Sequence, residues 1–390
     1  MKQFLERAQE LKDSILADRC HIHRNPEVGM ELPETTKYVM GRLEELGIEA
    51  KEICRSGVVG VIKGKKPGKT YLLRADMDAL PMPEDNDLPY KSEKANVAHN
   101  CGHDMHTAML LCAAQMLKEK EDELEGTVKL MFQPAEETFE GSKTMIAAGV
   151  LEDVDAASAM HVMLDWPAPS YGCRPGYMTS SCDGFKITVN GKGCHGAMPE
   201  LGIDPINAAV MIYQQFQELI AREAGSKETA CLTCGQFSAG TTPNIIPASA
   251  VLQGTLRTYN QTLREKLVKR MHEICEGVAI VTGAEVNYEV LSAVPACYTN
   301  PEVLSELREY VDELEIPCGS DSYMVTPSDD MAFISEKVPT VYFMLGAKVE
   351  GNPYPHHNPK VLFDENCLPY GAAIHAQCAF NWLKNHSGNE

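Results

Sequence analysis

Apolar residues recur three and four positions apart over residues 1–20 and 33–47, the spacing of two amphipathic helices. Between and beyond them, "VVGVIKG" and "TYLLRADMDAL" read as strands rich in β-branched and large apolar residues. A helix over 105–120, a strand in "TVKLMFQPAEE", a helix over 141–149 and a strand in "AASAMHVML" follow. Strands that alternate with helices in this way predict a mostly parallel sheet covered on both faces.

Near Asp183 the pattern changes. "GFKITVNGKG" alternates polar and apolar positions, and "DPINAAVMIYQQFQELI" has helical spacing. Two strands, "TACLTCGQFSAG" and "ASAVLQGTLRTY", then a long helix, "TLREKLVKRMHEICEGVAIVTG", and a strand, "AEVNYEVLSA", complete a small α+β unit. Past Pro295 the strand–helix alternation resumes, ending in a helix over 367–385. The prediction is a discontinuous α/β domain, residues 1–182 and 297–390, with a smaller α+β domain inserted at 183–296.

Composition adds limits. At 390 residues the chain is long enough for two cores, and 44% apolar with 23% charged residues is ordinary for a globular protein. Thirty-five Lys and Arg stand against 55 Asp and Glu, a formal charge of −20, which argues against nucleic acid or an anionic membrane surface as partner. No run of about 18 apolar residues predicts a membrane span, and the charged N-terminus lacks a signal peptide's apolar stretch, so the expected compartment is the cytoplasm. The 14 cysteines are scattered through predicted helices and strands and read as reduced core residues. Cys231 and Cys234 in "CLTC" have no second close pair to complete a zinc ribbon, and a strand reading is preferred.

Chemistry concentrates in the outer domain. "HNCGHDMH" (99–106) carries three histidines, a cysteine and an aspartate. Asp76 and Asp78 follow a strand, Glu136 and Glu137 follow another, His161 ends a third, and His356 and His357 precede the last helix. Thiolate, imidazole and carboxylate are the donor set of zinc and related ions, and carboxyl ends of parallel strands are where α/β proteins place ligands. Adjacent glutamates at a strand end repel unless a cation offsets them. Alone, "EE" is more often a solvated surface pair.

Taken together, "LLRADMDALPMPE", "AHNCGHDMHTAMLL", "VKLMFQPAEETFEGSKTMIAAGVLED", "GKGCHGAMP", "TPNIIPASAVLQGTLRT" and "HHNPKVLFDE" resemble, in order and spacing, the aminoacylase, hippurate hydrolase and auxin-conjugate hydrolase branch of the dinuclear-metal amidohydrolases and peptidases. The resemblance spans essentially the whole chain. It implies two divalent ions per subunit (Mn2+, Zn2+, Co2+ or Ni2+), held by Cys101, His103, Glu137, His161 and His357, with Cys101 as the expected bridge. His356 is the alternative register for His357. Glu136 would be the general base and Asp78 a supporting residue. Asp76 stands where other branches have a metal-binding histidine, and Asp104 and His106 are weaker ligand candidates.

In the inserted domain, the resemblance implies that His195 hydrogen-bonds the developing oxyanion, usually in the partner subunit's site, and that Asn244 and Arg257 bind the substrate's carboxylate. It also implies a lid and dimerisation role for this domain, hence a homodimer and a hinge. Many relatives have histidine where this chain has Glu200; an acidic residue there would favour a positively charged substrate, or it faces solvent. The implied activity is hydrolysis of small N-acyl-amino acids with acetyl, aromatic or longer acyl groups. The alternatives are a dipeptidase or carboxypeptidase, or a non-catalytic metal-binding or ligand-binding relative.

Overall fold

Four strands, Glu125–Gln133, Lys66–Asp76, Ala156–Met163 and Thr340–Gly346, lie side by side in that order and run parallel. Every residue of Thr340–Gly346 is buried, as a parallel strand with both faces covered requires. The structure, a computed structural model, describes residues 3–387. Gly57–Lys63 and Glu49–Cys54 extend the sheet antiparallel on one side, and the short strands Tyr171–Gly172 and Cys318–Ser320 extend it on the other to eight strands.

Helices His103–Glu119 and Leu368–Asn385 pack on each other and on the strand Lys66–Asp76. Fourteen of the seventeen residues of His103–Glu119 are buried, so this helix is enclosed on all sides. Each Leu, Ile or Phe enclosed in this way contributes roughly 1.5–3 kcal/mol. That burial holds the helix rigidly, and its first residue is His103.

The sequence predicts one N-terminal helix where the structure has two, Gln3–Glu10 and Lys12–Arg24. The chain turns at Leu11, whose ψ of 5° is not helical. The first helix thereby packs on Leu368–Asn385 and the second on His103–Glu119, two surfaces that one straight helix would not follow.

Two compact units divide the chain. One comprises residues through Met178, Cys297–Met324 and residues from Asp329 onward; the other comprises Thr179–Ala296 and Val325–Ser328. The second unit is an antiparallel sheet in the order Ala230–Ala239, Ser249–Thr258, Cys182–Asn190, Glu285–Val294, packed against helices Pro205–Glu223 and Gln261–Thr282. Its core joins Phe185, Ile187, Val189, Phe216, Leu252 and Leu267. Asp204 and Asn260 cap the two helices through their side chains. Cys231 and Cys234 lie on the edge strand Ala230–Ala239, both as free thiols.

Candidate metal centre

Donor side chains gather at the carboxyl ends of the parallel strands. His161 lies two residues before the end of its strand, Asp76 closes another, and Glu136 and Glu137 follow Gln133 after a tight turn at Ala135, whose φ is +52°. Non-glycine residues hold that conformation only where the surroundings enforce it. Here the enforcing group is Asp78, whose two carboxylate oxygens accept the N–H groups of Glu136 (2.9 Å) and Glu137 (3.1 Å). Its backbone carbonyl accepts from His103 Nδ1 at 2.8 Å. One aspartate thus sets both glutamates and a histidine. Asp78→Ala should lower metal affinity and turnover together by about 10–100-fold, read by competition with a chelator and by initial rates; two unchanged values would remove this role.

Cys101 enters just before the helix through Gly102, which has φ +96° and where a Cβ would lie 2.4 Å from Val162 Cγ2, so only glycine fits. The Cys101 thiol is 3.5 Å from His161 Nε2. His161 donates Nδ1–H to the Val162 carbonyl and His103 donates Nδ1–H to Asp78, so both rings turn an Nε2 lone pair toward the cluster. His103 Nε2 is 3.9 Å from both Glu136 Oε2 and Glu137 Oε1, and His357 Nε2 is 3.3 Å from Glu137 Oε1. Ligand atoms of Cys101, His103 and His161, of Cys101, Glu137 and His357, and of His103, Glu136 and Glu137 each lie within 4.8 Å of one another.

This set fits divalent metal. His103 Nε2 is buried with no partner in hydrogen-bond geometry, an expensive arrangement unless something coordinates it. Burial pushes the Cys101 thiol up, and the Cys101 and Glu137 hydrogen bonds push His357 up to about 10. A cation would displace these protons on binding. Burial raises Glu136 well above the usual carboxylate range, with Asp329 and Glu137 adding to it. Burial would raise Glu137 as well, but hydrogen bonding from His357 together with the charges of His103 and His357 and a hydrogen bond from Cys101 outweighs it and keeps that carboxylate low.

The other residues of "HNCGHDMH" face elsewhere. His106 donates Nδ1–H to Asp76 (2.6 Å) and accepts Val162 N–H at Nε2 (2.9 Å), leaving no lone pair for a metal. Asp104 accepts from Arg19 (3.0 Å) and His23 (2.9 Å), and Asp76 is held by Arg74 at 2.6 Å. His99 is buried with both nitrogens unpartnered, and burial drives its pKa down to about 3. His356 donates Nε2–H to the Val162 carbonyl at 3.0 Å, whereas His357 turns into the cluster with φ +60°.

Sequence reasoning passed over Asp329 and Asp330 in "PSDDM". Their carboxylates and that of Glu136 lie within 4.8 Å of one another. Arg74 (2.8 Å) and Gln133 hold Asp330, and the Tyr342 hydroxyl and Met331 N–H hold Asp329. Two adjacent acids beside an apolar stretch carried the same signal that drew attention to Glu136 and Glu137.

The second unit holds the remaining candidates. His195 pairs with Ile245 in a two-stranded ribbon, and its exposed ring accepts Ala197 N–H at Nδ1 (3.1 Å), so Nε2 carries the proton. Asn244 is exposed beside it and accepts Gly196 N–H at its carbonyl. Arg257 donates to Ser328 at 3.1 Å and, among the described residues, forms no ion pair. Glu200 is exposed on the single turn Pro199–Leu201.

Residues 72–381 match the model of peptidase family M20/M25/M40. The chain is 37% identical over 381 residues to thermostable carboxypeptidase 2 of Saccharolobus solfataricus, covering 96% of each chain. It is 36% identical to hippurate hydrolase of Campylobacter jejuni, covering 94% of this chain and 96% of that one. A solved dinuclear metal-binding peptidase of the M20 family from Bacillus subtilis superimposes with a TM-score of 0.84 at 30% identity, covering 96% and 99%. With this family match over most of its length and the metal-fitting donor cluster at its strand ends, the chain belongs to the M20/M25/M40 family of metal-dependent peptidases and amidohydrolases.

Proposed function

We propose that this enzyme hydrolyses the amide bond of small N-acyl-amino acids to a carboxylic acid and a free amino acid. The observation that carries the reading is the buried Glu136 carboxylate, 3.9 Å from His103 Nε2, beside a set of five thiol, imidazole and carboxylate donors. Cys101, His103, Glu137, His161 and His357 would hold two divalent ions, from Mn2+, Zn2+, Co2+ or Ni2+. Among these five donors, Cys101 and Glu137 each belong to two of the close groups and His103 to three, and Cys101 would be the bridge. Such ions polarise a carbonyl and make water acidic enough to lose a proton near neutral pH.

Glu136 takes the proton of the attacking water and returns it to the departing amine nitrogen. Its raised pKa suits a group that must hold that proton between the two transfers. Asp78 keeps Glu136 and Glu137 in register during this exchange. His195, with its proton on Nε2, donates to the carbonyl oxygen as charge develops there. Arg257 and Asn244 bind the carboxylate of the amino acid, which lets a protein of charge −20 hold an anion.

The second reading, a carboxypeptidase or dipeptidase, is favoured by similarity to the Saccharolobus carboxypeptidase. A panel of N-acetyl-, N-benzoyl- and long-chain acyl-amino acids and dipeptides tests both after chelation and reconstitution with each metal. The expected result is hydrolysis of acyl-amino acids, lost with the metal and restored by it. Cleavage of peptides alone would favour the second reading, and binding without turnover would make the chain a ligand-binding relative.

The second unit would act as lid and as the surface of a homodimer. Its edge strand Ala230–Ala239 exposes Phe237, and the neighbouring helix exposes Ile206, Val210 and Tyr213. The free thiols of all 14 cysteines support a reducing compartment such as the cytoplasm.

A further inference from the structure

A cavity of about 630 Å³, a size that takes a small organic molecule, adjoins the loop that carries Cys101. Helix Lys12–Arg24 lines it with Leu16, Arg19 and His23, and residues 361–366 line it from another side. None of the five metal donors is on its walls. His99 is, although the metal centre makes no use of this ring. It is 1% exposed, and neither of its nitrogens has a hydrogen-bond partner. A neutral imidazole carries one N–H and one lone pair, and leaving both unused out of water is costly.

The charges around the cavity do not balance. Arg19 donates to Asp104 at 3.0 Å and also to Glu365. Each nitrogen of His23 meets a carboxylate oxygen, of Asp104 at 2.9 Å and of Glu84 at 3.1 Å, so both nitrogens carry protons. Two cations thus serve three carboxylates, and Asp104 Oδ1 stays buried without a partner. Glu350 and Asp364 add two more acids to the walls, against Lys12 alone. The excess of negative charge disfavours an anionic ligand and attracts a cation. An ammonium supplies the charge and an N–H for the His99 lone pair. Leu16, Leu88, Val349 and Leu362 suit an apolar body behind it.

This cavity shares its wall with the metal loop. Asn100 lines it, and the Asn100 carbonyl accepts the N–H of His357 at 3.0 Å. Phe363 also lines it; a Cβ on Gly102 would lie 3.5 Å from that ring, which stands 5.4 Å from the ring of His356. Whatever fills the cavity therefore bears on the residues that flank Cys101 and His357.

We propose that this cavity is a second ligand site, that it binds a primary organic amine with the ammonium on His99 and the apolar body along Leu16 and Leu88, and that binding there is coupled to metal loading. Neither part depends on which amide the enzyme cleaves.

The probes are 2-phenylethylamine, 2-phenylethanol and phenylacetate, which place an ammonium, a hydroxyl and a carboxylate on nearly the same body. Calorimetric titration of the metal-loaded enzyme at pH 7 measures each, and Leu16→Trp, which fills the cavity from its helix wall, identifies the binding that belongs to the cavity. That share should be at least tenfold tighter for the amine than for the alcohol. His99→Phe should weaken the amine about tenfold. Where that variant fails to fold or to hold metal, Leu16→Trp decides alone, since it lies on a helix that supplies no metal donor. The amine should bind about fivefold more tightly to the metal-loaded enzyme than after chelation, because metal on Cys101 orders the loop that carries His99.

Alcohol or phenylacetate bound in the cavity as tightly as the amine would overturn the amine site, and so would amine binding unchanged in Leu16→Trp. Absence of binding at millimolar concentration would leave the cavity to water and overturn it too. Equal affinity with and without metal would overturn the coupling.

Discussion

Glu136→Gln lowers turnover by about 10²–10⁴-fold while metal content stays near that of the unaltered enzyme. Glutamine has the same shape and keeps one carbonyl oxygen, but it cannot accept the proton of water. The backbone N–H of residue 136 still reaches Asp78, so the turn at Ala135 and the neighbouring Glu137 are retained. Metal analysis of the purified variant beside its kcat measures both parts. Loss of metal together with activity would make Glu136 a ligand, a role its 3.9 Å separation from His103 Nε2 also permits geometrically. Turnover near normal would assign the base to another carboxylate, of which Asp329, within 4.8 Å of Glu136, is one candidate.

Cys101→Ser has a different signature. The hydroxyl is a far poorer donor than a thiolate to these ions, so metal retention falls first and activity follows it. Because Cys101 belongs to two of the close donor groups, the loss should exceed the 10–100-fold typical of a residue that only supports a ligand. Equilibrium dialysis against a chelator series measures it, and excess metal should recover part of the activity. A variant that keeps both metals at unaltered affinity would exclude the thiol from the centre. The unaltered enzyme should also react with thiol reagents at Cys101 faster after chelation than before it.

Much of the architecture was legible because it is written in local periodicity. The alternation of 2.0 and 3.6 that separates strands from helices survives in the sequence wherever one face must be buried. The change near Asp183 from continuous apolar strands to alternating ones reflects a sheet covered on one face, as in Cys182–Asn190. The division at Leu11 was not legible, because both halves keep helical spacing and only their two different packing partners separate them.

The donor residues were visible as a family pattern, but their individual fates depend on neighbours distant in the chain. His103 and His106 stand three residues apart on one helix, yet Asp76 and the Val162 N–H occupy both nitrogens of His106, while His103 keeps Nε2 free. His356 and His357 are adjacent, and only the backbone turn at His357 sends one ring to Glu137 and the other to the Val162 carbonyl. Asp78, expected only as a supporting residue, accepts the backbone N–H groups of two glutamates 58 and 59 residues away.

By itself the sequence determined the kinds of chemistry available: soft and hard donors at strand ends, a pair of glutamates, and a second unit that carries His195, Asn244 and Arg257. Tertiary structure alone decided which lone pairs remain free and which carboxylates crowd Glu136. The physical reason is that residue type sets what a side chain can donate or accept, whereas burial and the partners reached across the sheet set what is left over to act.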